Sequence, residues 1–369
     1  MGVVMGTLSG ITPGVHVNTL AAFLFTFDVS GNIMLFSMGL VHTFLDAIPS
    51  AFLGVPDEGT ALSVLPAHRL VLKGRALEVI RIALWASFLA VLFSLPLSPF
   101  YVFLAHLYTP GLGRGLVALI ALMLVLTEKG LKKLYAAFIF MLSGLLGVLT
   151  FRLPLEQPYY HLFTGFFGVP VMVEALDSNG PPPHDEDASI RMKHTKFLSL
   201  SLVGTFLGMI ASLIPAFTAS QAALIGSFMS KDERSFLTIV FSVNTSNFLF
   251  SFVNFVETGR IRNGIVALMS PLGSGSFRFY ITVSLFVAMV VLLYGEHLAS
   301  MILRLVEGIP YRWMNLSVLV FLLALSFLFD GFRGLLILIA ASLIGFLALS
   351  LGIKRTVCMG VLMLPIILG

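Results

Sequence analysis

The stretch Met5-Gly6-Thr7-Leu8-Ser9-Gly10-Ile11-Thr12-Pro13-Gly14-Val15-His16-Val17-Asn18-Thr19 decides how the rest of the chain reads. It opens as an apolar helix with glycines four apart and breaks at Thr-Pro-Gly. It then resumes through small and polar residues into Ala21-Ala22-Phe23-Leu24. A helix broken inside an apolar segment frees backbone N–H and C=O groups that lipid cannot satisfy. Such a break survives only where protein, water or a ligand meets those groups.

The composition supplies the surroundings. Of 369 residues, 58% are hydrophobic and only 11% are charged, with a mean hydropathy of +1.00. A soluble domain carries about a quarter charged residues. Segment after segment reaches the ~20 apolar residues needed to cross a bilayer, among them 82–107, 134–153 and 316–329 with its flanks. The chain is therefore expected to be an all-α integral membrane protein, multi-pass in the cell membrane. The one long polar stretch, 177–196, is too short to be a catalytic domain. A net charge of +4 says little about partners, because placement of Lys and Arg matters more in such proteins; no nucleic-acid partner is expected. Cys358 is the single cysteine, which excludes an internal disulfide. The first Lys or Arg is Arg69, so no basic region announces a cleavable signal peptide.

The opening stretch recurs. An offset of 202 sets Gly2 on Gly204, Gly6 on Gly208, Pro13 on Pro215, His16 on Thr218, Asn18 on Ser220 and Thr19 on Gln221. The same offset sets His42-Thr43 on Asn244-Thr245. Glu128-Lys129-Gly130 resembles Phe329-Asp330-Gly331, and Gly74-Arg75 resembles Gly259-Arg260 at an offset of 185. The expectation is two structural repeats of inverted topology, with about ten crossings plus broken or re-entrant helices. The first repeat covers 1–177, a polar linker loop 178–196, and the second repeat 197–369. Basic residues at 69–81, 129–133 and 191–196 are spaced so that four crossings return the chain to one side.

Paired broken, polar-lined helices in corresponding halves point to a transporter's binding site. Helix N-termini that face into a break carry roughly half a positive charge and attract anions, carboxylates included. The substrate-binding candidates are Gly10, Pro13, Gly14, His16, Asn18 and Thr19 in the first break, with Pro215, Thr218, Ser220 and Gln221 in the second. The plainer alternative is a proline kink with close glycine packing between helices. Asp46 lies in a mostly apolar segment beside Pro49, and an ionisable group at bilayer depth usually faces a cavity and serves ion or proton transfer. Asp46, His42, Asn244 and Thr245 are the ion-coupling candidates. Asp28 and Asp57-Glu58 read as turn residues.

No phosphate-binding loop, zinc motif or convincing Ser/His/Asp set is present. An enzyme is not expected, nor ATP-driven transport, nor a metal or other cofactor apart from Na+ as a candidate coupling ion.

Gly6-Thr7-Leu8-Ser9-Gly10-Ile11-Thr12-Pro13-Gly14, Ile48-Pro49-Ser50, Val55-Pro56-Asp57-Glu58-Gly59-Thr60-Ala61-Leu62, Leu65-Pro66-Ala67 and Lys73-Gly74-Arg75-Ala76 together carry a family likeness. The chain resembles the large membrane subunit of tripartite tricarboxylate transporters, the TctA family, in a short archaeal form. The likeness is clearest over 1–85. It implies a secondary transporter of carboxylates, with a small membrane subunit, an extracytoplasmic binding protein and a homodimer as candidate partners. Departures are Gly54 and Asp57 in the usual glycine- and serine-rich run, and His16-Val17-Asn18 after the Pro-Gly. A polyprenyl-phosphate translocase has a similar outline, and a non-transporting membrane scaffold is the reading that differs in class.

Overall fold

The computed structural model describes residues 1–369 except 27–30, 58, 108, 177–184, 186, 215–217, 230–231 and 274–275, and leaves out the side chains of Thr19, Ala22, Phe23, Phe25, Thr26, Pro110, Ala175 and Ser227. Asp28, Glu58 and Pro215 therefore lie outside the described residues.

The chain is 81% helical, and no strand occurs among the described residues. The first half runs α1 (Gly2–Ile11), α2 (Val17–Thr26), α3 (Asn32–Leu45), α4 (Ala47–Phe52), α5 (Val64–Val71), α6 (Ala76–Leu107), α7 (Pro110–Leu126) and α8 (Lys132–Thr150). It ends with α9 (Pro158–Phe163) and α10 (Val169–Ala175), joined by a π-helical turn. The second half runs α11 (His194–Leu213), α12 (Ala219–Met229), α13 (Glu233–Thr258), α14 (Gly264–Ala267), α15 (Ser276–Glu307), α16 (Tyr311–Ser350) and α17 (Gly360–Leu368).

Seven stretches among the described residues are long and apolar enough to cross a membrane. Of these, α3–α4 and α13 are the innermost, 89% and 94% buried along their most apolar windows, whereas α15 is 28% buried. The outward side chains of α15 and α16 are apolar, Leu293, Leu328 and Phe332 among them. An apolar surface of this kind belongs in lipid rather than water. This is a multi-pass membrane protein.

Among the described residues, one of these seven stretches, α16, is two helical arms rather than one. Its 40 residues would reach about 60 Å, twice the hydrocarbon thickness. The backbone is non-helical at Asp330 and Gly331, where Gly331 takes φ 58°. A Cβ on Gly334 would stand 2.7 Å from the carbonyl of Ser326. Eight residues along a straight helix are separated by about 12 Å, so the chain doubles back here into arms 311–329 and 332–350. The turn is held by Asp330, whose carboxylate accepts the N–H groups of Glu156 (2.7 Å) and Gln157 (3.0 Å) and meets His161 Nε2 (2.7 Å).

Close packing of the opening helices follows from their glycines. A Cβ on Gly6 would stand 2.5 Å from the carbonyl of Met38 on α3, and one on Gly204 2.7 Å from that of Ile239 on α13. α1 lies on α3, and α11 lies on α13. α6 begins at Ala76 and α15 at Ser276, close to the offset that separates the breaks. Gly74 and Gly259 both take a left-handed conformation just after a helix, α5 and α13, with φ 72° and 69°.

The described residues at the far end of the linker are anchored. α11 begins at His194, inside the expected loop. Asp185 gives its N–H to the Gly74 carbonyl (2.9 Å), and Ala188 is buried. The Ser189 hydroxyl and N–H hold the Asp187 carboxyl below its usual range. Beneath this segment sits Glu78, fully buried at the start of α6. Its carboxylate receives Arg234 twice (2.6 and 2.9 Å), Arg75 (3.0 Å) and the N–H of Arg191 (2.8 Å). Arg75 also pairs with Asp185.

Removing one partner from such a buried cluster leaves charges uncompensated, at a cost of about 3–5 kcal/mol. Glu78→Ala is expected to lower unfolding free energy by that amount in detergent, measured by denaturant titration. A loss below about 1 kcal/mol, the worth of an exposed pair, would show that the cluster does not tie α6, α13 and the linker together.

Candidate functional site

α1 ends at Ile11 because Thr12 turns to φ −85°, ψ 114° and Pro13 has no N–H to continue the ladder. Thr12 gives both its N–H (3.1 Å) and its hydroxyl (2.6 Å) to the Leu8 carbonyl. Gly14 takes φ 73°, a conformation that favours glycine, and Val17 opens α2. α11 ends at Leu213 in the same way, with Ile214 at φ −89°, ψ 119°. Beyond residues 215–217 the chain resumes at Thr218.

Thr218 and Gln221 form a capping box at the start of α12. The Thr218 N–H donates to Gln221 Oε1 (2.8 Å), and the Gln221 N–H donates to Thr218 Oγ1 (3.4 Å). Gln221 and Ser220 are fully buried.

Both breaks border one cavity of about 360 Å³. His16 and Asn18 line it from the first break, and Thr218 from the second. Asn244 and Asn247 of α13 line it as well, as does Arg262 of the loop before α14. Gly10 and Gly14 border a second, small space beside it. Pro13 sits in the break itself. Ser220 and Gln221 do not line the cavity; both are fully buried. Thr19 has no described side chain.

The loops that close the cavity satisfy the broken ends. Asn18 Oδ1 accepts the N–H of Ile265 (3.1 Å), so the first break caps α14. Arg262 Nη2 donates to the Leu213 carbonyl (2.6 Å), placing a guanidinium at the negative end of α11.

Opposite lie acids. Asp57 is 3.4 Å from His42 Nε2 through Oδ2 and 3.6 Å from His16 Nε2 through Oδ1. Asp46, at the joint of α3 and α4, is 2% exposed and accepts Asn244 Nδ2 at 2.7 Å. Thr245 donates to Thr43 (3.1 Å), which places all four ion-coupling candidates about the same joint.

The nitrogens of His16, His42 and a carboxylate oxygen of Asp57 lie within 4.8 Å of one another, close enough to hold a metal. His16 Nδ1 accepts the Asn18 N–H (3.1 Å).

Three groupings were invisible along the chain. Asp57 reads locally as a turn residue, and Arg262 as a loop basic residue. Ser326, His161 and Asp330 form a hydrogen-bonded Ser-His-Asp set, 2.9 and 2.7 Å, that no local spacing announces. It lines neither the cavity nor the small space beside it, and it fastens the turn of α16 instead. Only tertiary contact brings these residues together.

A family profile described as "Tripartite tricarboxylate transporter TctA family" matches residues 1–360. An uncharacterized protein of Methanocaldococcus jannaschii is 28% identical over 397 aligned residues, which cover 100% of this chain and 97% of that protein. No solved structure matches the chain.

The capping box makes a separable prediction. Gln221→Ala should lower thermal stability by about 0.5–2 kcal/mol, the usual worth of a cap, while ligand affinity, measured by thermal shift, stays unchanged. A lost ligand shift with unchanged stability would put Gln221 on the substrate.

Proposed function

We propose, from the premise that the chain belongs to the tripartite tricarboxylate transporter TctA family, that it is a secondary active permease moving a small anionic carboxylate coupled to Na+ or H+. The observation that carries this is the cavity bounded by both helix breaks, lined by amides and Arg262 together with Asp57 and two histidines. An anion fits the amides and the guanidinium, and the carboxylate with its histidines favours a cation or proton travelling with it. The cavity, about 360 Å³, lies near the lower bound for ligand sites, roughly 300 Å³. That size favours a di- or tricarboxylate over a lipid carrier.

The two-repeat reading has its own support. The ends of α1 and α11, Ile11 and Leu213, are equivalent at the offset of 202, as are the starts of α2 and α12, Val17 and Ala219. Thr43 and Thr245, equivalent at that offset, hydrogen-bond to each other. A residue touches its own equivalent when it lies beside a two-fold axis. Such an axis between α3 and α13 would run beside the cavity, as alternating access about a fixed central site requires. A small membrane subunit and an extracytoplasmic binding protein, the companions that a tripartite system implies, belong to this proposal.

Purified protein in liposomes should take up a labelled di- or tricarboxylate when a Na+ or H+ gradient is imposed. Arg262→Ala should raise the half-saturating concentration about tenfold or more, the worth of a charge-assisted hydrogen bond. Absence of uptake across a panel of such acids, with flipping of a polyprenyl phosphate, would replace this reading with the lipid-carrier one.

A further inference from the structure

Beside the main cavity, between the end of α1 and the joint of α3 and α4, lies a space of about 10 Å³. That is about the room one water-sized sphere needs. Ser9, Gly10, Thr12 and Val15 line it from the first break, and Asp46 and Asp57 from the opposite side. Three sources of negative potential converge there. Two are carboxylates. The third is the C-terminal end of α1, where Pro13 offers no N–H to the Ser9 carbonyl.

Among the described residues no Lys or Arg lines the space, and His42 is the one histidine that does. His16, on the far side of Asp57, turns its Nδ1 to the Asn18 N–H. The Ser9 hydroxyl gives its proton to the Gly6 carbonyl (3.1 Å), so it accepts from His42 Nδ1 (3.1 Å). That leaves His42 Nε2 to face Asp57 at 3.4 Å. Asp46 Oδ2 is held by Asn244, while its Oδ1 is buried with no hydrogen-bond partner.

Asp46 Oδ1 thus receives no donor from the protein, and a small ion in the adjoining space would meet it together with the other oxygens that border that space. A space of one-water size disfavours the larger K+. We propose that this space is a Na+ site, with Asp46 supplying the charge and Asp57 and the carbonyl end of α1 contributing further oxygens. The site names the coupling ion of the permease and rests on that reading for its role, though not for its geometry. Because α1 leads directly into the cavity wall at His16, occupancy by Na+ would set the shape of the carboxylate site.

The test is made without carboxylate, on the full chain in detergent at constant ionic strength in choline chloride. Equilibrium dialysis with radioactive Na+ should show one ion held per chain, with K+ competing at least tenfold more weakly. The melting temperature should rise saturably with NaCl and stay flat with KCl. Asp46→Asn, which keeps shape and removes charge, should abolish the Na+-dependent rise. No bound Na+ in the wild-type chain, equal competition by K+, or an undiminished rise in Asp46→Asn would each overturn the site. The wild-type dialysis decides the matter even if that variant does not fold. Na+ binding without carboxylate uptake would sink only the permease reading, and uptake without Na+ binding only this one.

Discussion

Every backbone N–H and C=O freed inside the bundle has to be met by protein or ligand, because lipid offers no hydrogen bonds. The two helix breaks create this demand, and much of the second half's irregular structure answers it. Arg262 exists at its place to serve the end of α11, and Asn18 serves the start of α14. Thr218 and Gln221 satisfy each other at the start of α12. The groups that remain face the cavity, so the binding surface is what local satisfaction leaves over.

The same constraint explains why the most polar helices are the most buried. α3 and α13 carry His42, Thr43, Asn244 and Thr245 at the centre, where side chains replace the missing water. The outer helices carry apolar side chains toward lipid. Glycines on α1 and α11 bring their backbones onto these central helices, and the breaks thereby reach the middle of the bundle. Close glycine packing and a cavity at the break are not competing accounts of one motif, because the first positions the second.

The sequence made the breaks legible, because proline removes an N–H wherever it stands. Hydropathy likewise made the all-α membrane class legible. The turn at Asp330-Gly331 left only a Gly signal, and helical periodicity runs through it, so two helical arms merge into one 40-residue stretch. Thr218 and Gln221 carry a local capping signature, Thr-x-x-Gln, and the cap forms. Asp57 and Arg262 could not have been found from local pattern. Their neighbours in sequence say turn and loop, and their place on the cavity comes from what lies across the fold.

The central claim is that the break after Ile11 and its equivalent after Leu213 share one ligand. Val17 and Ala219 are equivalent positions, both line the cavity, and both are small enough to change to cysteine with little disturbance. Cys358 is fully buried and leaves the background unreactive. Alkylation of Val17→Cys and of Ala219→Cys should be slowed by the transported carboxylate at one and the same half-protecting concentration. Protection at one position with none at the other would contradict a shared site.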